Sequence, residues 1–168
     1  SWRGAPIQSG RFAVMPSLHP AFVLRAPHYK EVFKIDLKRA LYPSKPWVWP
    51  RIVVTPGAEM ISALTEILQS NQPIGVDIEN MGDPVAHARI RCIGVAIDTL
   101  AVSVPTELNP IEEMGILSKI LASSNVKVMH NGQHDLLGLR DWGWVVDGVV
   151  FDTLLAHVVV SSLLPHDL

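Results

Sequence analysis

Between residues 74 and 104 three strand-like runs follow one another, and beyond them helix and strand alternate. Residues 74–79 are bounded by Pro73 and the turn-forming Gly82-Asp83-Pro84, and residues 89–97 and 100–104 predict a hairpin around Asp98-Thr99. A helix is expected over 111–122, where Ile111, Met114, Leu117, Ile120 and Leu121 share a face. A buried strand at 126–129, a helix at 133–140, a strand at 145–151 and a helix at 153–163 follow. Such an order demands a mixed sheet with helices on its faces and excludes a purely parallel doubly wound sheet. The chain has no glycine-rich phosphate loop.

Upstream, residues 51–55 form a short β-rich run. Pro56 suits the first turn of a helix carrying Met60, Ala63, Leu64, Ile67 and Leu68 at helical spacing. Three prolines in 42–50 block helix and central strand alike and mark that stretch as a Pro-rich linker. Before it lie only a strand at 11–15 and a helix at 30–41, too little to bury a core alone. Residues 1–41 are therefore expected to be a short α/β fragment of an upstream domain, and 51–168 the main domain.

Nearly half of the 168 residues are apolar, which supports a packed core and argues against disorder. The net charge of −2 offers no basic excess for binding nucleic acid by electrostatics alone. A site of carboxylates, however, takes its positive charge from metal ions. A lone cysteine, Cys92, excludes internal disulfides and thiolate clusters and suits a reduced, cytoplasmic protein. The most apolar stretch, 145–164, is interrupted by Asp147, Asp152 and His157, so no membrane span is expected. The abrupt ends suggest an internal fragment of a longer protein.

Asp77-Ile78-Glu79 is the first feature with chemical content. Residues two apart on a strand project from one face, so the two carboxylates point together while Val76 and Ile78 face the other way. Adjacent acids repel unless a cation lies between them, and hard divalent ions prefer oxygen ligands. A solvated strand end is the plainer account of Asp77 and Glu79 taken alone. The second feature runs from Val128 to Leu136 through His130-Asn131-Gly132-Gln133-His134-Asp135. There a strand ends, a polar turn follows, and a helix starts with Asp135 in its first turns, where the helix dipole alone would favour an acid. Leu136 and Leu139 are expected to anchor that helix, leaving Asp135 on the opposite face. His130 and Asn131 taken singly are turn residues.

In combination, the strand-borne Asp-x-Glu, hairpin, helix, then strand–His-Asn-x-x-x-Asp–helix resembles the DEDD (DnaQ-like) 3′→5′ exonucleases of the ribonuclease H-like fold, over 52–168. The resemblance implies an α/β, ribonuclease H-like mixed sheet flanked by helices. It implies catalytic, metal-holding carboxylates at Asp77, Glu79 and Asp135, and two divalent metal ions, Mg²⁺ or Mn²⁺. The implied reaction is hydrolysis of terminal phosphodiesters, and the substrate a single-stranded or frayed DNA 3′ end. His130, Asn131 and Gln133 would line the substrate groove. His134 stands where the family often has an aromatic residue. Phe151-Asp152-Thr153 is similar to the family segment that opens the next helix, and Asp152 is expected to cap it. The family's fourth carboxylate and general base would fall beyond Leu168, so the domain is expected to be C-terminally truncated and to cleave poorly alone.

Arg3-Gly4 and the run from Val14 to Arg25, with His19-Pro20, Leu24-Arg25 and then Asp36-Leu37, resemble the C-terminal part of uracil-DNA glycosylases, with His19 in the uracil-facing motif. A His capped by Pro at a strand-to-turn junction is the structural alternative. A glycosylase-like tail ahead of a proofreading exonuclease resembles the front of phage-type family A DNA polymerases. That implies a polymerase domain downstream, in a bacterium or phage-infected host cell. Two rival readings are a uracil-DNA glycosylase-type repair protein whose exonuclease-like module only binds nucleic acid, and a non-enzymatic module that has lost its metals.

Overall fold

The computed structural model describes residues 7–42, 48–81 and 89–160. Its internal contacts divide the chain into two units, Ser1–Val48 with His157–Leu168, and Trp49–Ala156. Outside the described residues lie Arg3-Gly4, the linker residues Pro43 to Trp47, the turn expected at Gly82-Asp83-Pro84, residues 161–163 of the helix expected over 153–163, and the rest of the chain to Leu168.

Among the described residues the larger unit has six strands: β3 (Arg51–Val53), β4 (Ile74–Met81), β5 (Arg89–Ile97), β6 (Leu100–Pro105), β7 (Lys127–Met129) and β8 (Val150–Asp152). They lie in the order β3-β6-β5-β4-β7-β8. The β4, β5 and β6 strands are antiparallel neighbours, whereas β3 pairs parallel to β6, β7 to β4 and β8 to β7. The sheet is therefore mixed, as the segment order demanded. Along β4 the buried Ile74, Val76 and Ile78 alternate with Gly75, Asp77 and Glu79, and both acids are exposed.

On helix α3 (Ala58–Gln69), Met60, Ala63, Leu64 and Ile67 recur at one-face spacing and are completely buried. They join Leu117, Ile120 and Leu121 of α4 (Ile111–Leu121) and the inward residues of the strands in one core. A buried acid, Glu113, accepts a hydrogen bond from the Gly57 N–H at 2.8 Å. That bond satisfies the N–H of the N-cap residue of α3, one of the donors a helix start leaves unpaired. Lys127, completely buried at the start of β7, donates to the carbonyls of Ser123 at 2.6 Å, Asp147 at 2.9 Å and Asn125 at 3.0 Å.

The expected strand over 145–151 shrinks to β8. Asp147 accepts from the Gly148 N–H, and Gly148 adopts a φ of +81°, which breaks an extended run. A Cβ at Gly148 would also lie 2.6 Å from the Asn125 carbonyl oxygen. The remaining helices are α5 (Gly132–Asp141) and α6 (Thr153–Val160). Among the described residues no helix is long and apolar enough to cross a membrane.

In the smaller unit β1 (Ile7–Ser9) and β2 (Phe12–Val14) form a hairpin, followed by α1 (Pro20–Arg25), a single 3-10 turn and α2 (Lys30–Leu41). The strand and the longer helix match expectation, whereas β1 and α1 gave no periodic signal long enough to read. His19 caps α1, its Nδ1 accepting from the Ala21 N–H at 3.1 Å. The Ser17 hydroxyl donates to buried Asp36 at 2.6 Å. Both groups thus have structural duties here.

Candidate active site

The parallel pairing of β7 with β4 brings the end of β7 and the start of α5 beside the acids of β4. Asp135 lies in the first turns of α5 and is only 4 % exposed. It shares a helix face with Leu139, four residues on and fully buried, rather than lying opposite it. The acid therefore points inward, at the place where that face passes the sheet. Gly138, on the same side, lets the helix approach: a Cβ there would meet the Ile78 Cδ1 at 2.7 Å.

Burial pushes the Asp135 carboxyl above the usual carboxylate range, and the nearby Asp77 carboxylate pushes it further. The Ile78 N–H, His134 and the residue's own main chain work in the opposite direction and do not cancel the rise. Asp77 and Asp135 thus come from separate motifs into one electrostatic neighbourhood, while Glu79 projects from the same strand face as Asp77. All three donors are hard oxygens, and the Asp77 carboxylate opposes ionisation of Asp135, a donor chemistry that fits a divalent cation. Among the described residues no three His, Cys, Asp or Glu side chains lie close enough to hold a metal ion together. Mg²⁺ commonly takes one or two carboxylates and completes its shell with water and substrate phosphate, so the fit needs no closed protein cage.

The three expected groove residues are placed separately. His130 Nδ1 lies 2.9 Å from the Thr153 hydroxyl, which itself donates to the Met129 carbonyl at 3.1 Å. With its single proton directed at Met129, the hydroxyl is placed to accept from Nδ1–H of His130. Asn131 takes a left-handed conformation at φ 55° and binds Asp152 through its main chain. Gln133 lies on the outer side of α5, where with Leu136, Leu137, Arg140, Val150 and Leu155 it lines a largely apolar cavity of about 370 Å³.

Asn80 received no role from the sequence. A register shift between Glu79 and Asn80 kinks β4 just past the acids, and Asn80 Nδ2 lies 3.0 Å from His134 Nε2. The residues immediately after Glu79 and before Asp135 are thereby bridged. The signal available was the adjacency of each to an acid, which spacing alone could not turn into a contact. Burial works upward on the Asp152 carboxyl, but main-chain N–H groups of Gly132, Leu155, Leu154 and Asn131 outweigh it and hold the group below its usual range. The expected capping role holds, with an additional reach to α5.

Known structures share this architecture. Escherichia coli RNase D superposes with a TM-score of 0.54 at 15 % identity, over 71 % of this chain and 30 % of that one. The catalytic core of RRP6 from Trypanosoma brucei gives a TM-score of 0.57 at 19 % identity, over 93 % of this chain and 43 % of that one. The POL domain of Pol1 from M. smegmatis gives 0.52 at 24 % identity, over 65 % of this chain and 19 % of that one. The chain thus spans less than half the length of each. At these identities the likeness establishes a ribonuclease H-like fold. No curated protein sequence matches the chain. The 3′-5′ exonuclease family matches residues 52–168, which is most of the sequence. The chain belongs to the 3′-5′ exonuclease family.

Proposed function

We propose that the domain is a proofreading-type exonuclease that removes nucleoside monophosphates from a single-stranded or frayed DNA 3′ end, within a larger DNA polymerase. One observation carries this reading: buried Asp135, raised by burial and by Asp77, meets the exposed acid face of β4. Asp77 and Asp135 would hold divalent ions between them, and Glu79 would complete the set from the same strand face. Bound divalent ions supply activation of water and stabilisation of the leaving oxygen. Asp77 and Glu79 present their oxygens to solvent, where a strand end has access, while Asp135 contributes from a desolvated position that strengthens its hold on a cation. His130, Asn131 and Gln133 are the proposed groove residues, with His130 held in one orientation by Thr153.

The preference for DNA draws on the Pol1 neighbour, solved with DNA primer-template, and on the resemblance of the motifs to proofreading domains. RNase D, described as an exoribonuclease, supplies the competing substrate. Residues 1–41 are proposed to be a glycosylase-like tail, a reading supported by the His19-Pro20 and Asp36-Leu37 pairs.

Titrating Mg²⁺ or Mn²⁺ into the full-length protein with 3′-labelled DNA and RNA strands tests the activity and the substrate together. Stepwise, metal-dependent shortening of DNA in preference to RNA is expected, and it should vanish in the Asp77→Ala/Glu79→Ala double variant. Undiminished degradation by that variant would remove the exonuclease reading. Abasic sites in uracil-containing DNA would support the glycosylase-like tail.

A further inference from the structure

An Asp ahead of an apolar helix ordinarily caps that helix and does nothing else. Asp152 does cap α6, with Oδ1 accepting from the Leu154 N–H at 2.8 Å and the Leu155 N–H at 3.3 Å. The same carboxylate also reaches the polar turn ahead of α5. Oδ2 accepts from the Gly132 N–H at 2.9 Å, and Oδ1 from the Asn131 N–H at 3.2 Å. Asn131, the residue placed to cap α5, makes no side-chain cap bond. The first N–H groups of α5 are thus satisfied from β8, across the sheet ladder. The chain of bonds from His130 through Thr153 to the Met129 carbonyl runs beside this junction and joins the same two segments.

Gly132 leaves little freedom at that point, because a Cβ there would lie 2.7 Å from the Met129 Cβ. Asp135 follows one turn later, so its position is set by where the helix starts.

We propose that Asp152 is a positioning residue for the exonuclease centre: by gripping the main chain at Asn131 and Gly132 it fixes the start of α5, and with it the place where the Asp135 carboxylate meets Asp77. The inference rests on the exonuclease reading. Asp152 itself touches neither substrate nor ion. Its charge is taken up by four N–H groups, and its effect passes through the helix it holds.

Three variants of the full-length protein separate this role from ordinary capping. Asp152→Ser keeps a cap for α6 but is too short to reach α5. Asp152→Asn keeps one oxygen and turns an amide donor toward the Gly132 N–H, and Asp152→Ala removes both functions. Asp152→Ser and Asp152→Asn are expected to melt within a few degrees of the parent. Their kcat should fall about 10- to 100-fold, the range for small misplacements of catalytic groups, with KM for the DNA strand nearly unchanged. The rise in melting temperature on adding Mn²⁺ should shrink in both. Asp152→Ala should add a loss of stability.

A folded Asp152→Ser protein with the parent's kcat and Mn²⁺ response would overturn the proposal, as would losses of kcat that merely follow melting temperature across the three. Should Asp152→Ser fail to fold, Asp152→Asn decides by the same readouts, and failure of both to fold would make Asp152 a folding residue and overturn the proposal. Metal-dependent activity in the parent that is lost in Asp77→Ala/Glu79→Ala keeps the exonuclease reading standing whichever way the Asp152 variants fall.

Discussion

The buried carboxyl of Asp135 is pushed up by burial and then by the neighbouring Asp77 carboxylate, so Asp77 opposes the ionisation of Asp135. A carboxyl raised in the folded state contributes its full stability below the unfolded value near 3.8, and loses it as pH rises through the raised value. At neutral pH without divalent ions Asp135 therefore strains the fold. Asp135→Asn should raise the melting temperature in chelator at pH 8, by an amount corresponding to roughly 0.5–2 kcal/mol. The difference should close near pH 3, and the variant should lose the proposed exonuclease activity. Thermal melts at the two pH values check the sign.

Gly132 is backed by Met129, whose Cβ would lie 2.7 Å from an added Cβ. Gly132→Ala has to displace the start of α5, because the obstructing atom is the Met129 Cβ rather than the tip of a side chain. A loss of about 1–3 kcal/mol is expected in denaturant unfolding, the range for overpacked sites. Activity should fall further than this loss of stability explains.

Lys127 provides a control away from the acids. Burial lowers its pKa and Asp147 partly restores it. A base with a lowered folded pKa makes stability rise with pH between that value and the unfolded 10.5. Lys127→Met leaves three carbonyls without their donor and should cost at least about 1–3 kcal/mol. The gap between parent and variant should widen as pH rises through that alkaline window, as urea unfolding at pH 7 and pH 10 will read.

The Asn80–His134 bridge should register as a coupling. In a double-mutant cycle with Asn80→Ala and His134→Ala, an interaction free energy of about 0.5–1.5 kcal/mol is expected. Simple additivity would show that the 3.0 Å contact contributes nothing in solution.

Much of this was legible in the residues. The period-two pattern around Asp77 placed both acids on the exposed face of β4, and the one-face spacing from Met60 to Ile67 gave α3. Local periodicity carries such information because burial imposes it residue by residue. Asp135 departs from expectation: the sequence places it opposite Leu139, but the two are four residues apart, share a face and are both buried. The strand over 145–151 was overextended because valines signal β structure whether or not a glycine at positive φ interrupts them. Contacts between distant segments, such as Asp152 with Gly132 and Asn80 with His134, arise only when the sheet closes, and no spacing encodes them.

At the margin of the six-stranded sheet, β8 has three residues and a half-exposed Phe151. Edge segments open at a fraction of the free energy that unfolds the centre. Because Asp152 lies in this strand, fraying at the rim releases the start of α5 while β4 and β5 stay paired. On warming, the proposed exonuclease activity should therefore fade before the core melts, and amide hydrogen exchange should find Gly132 opening together with Leu154 rather than with Ile78.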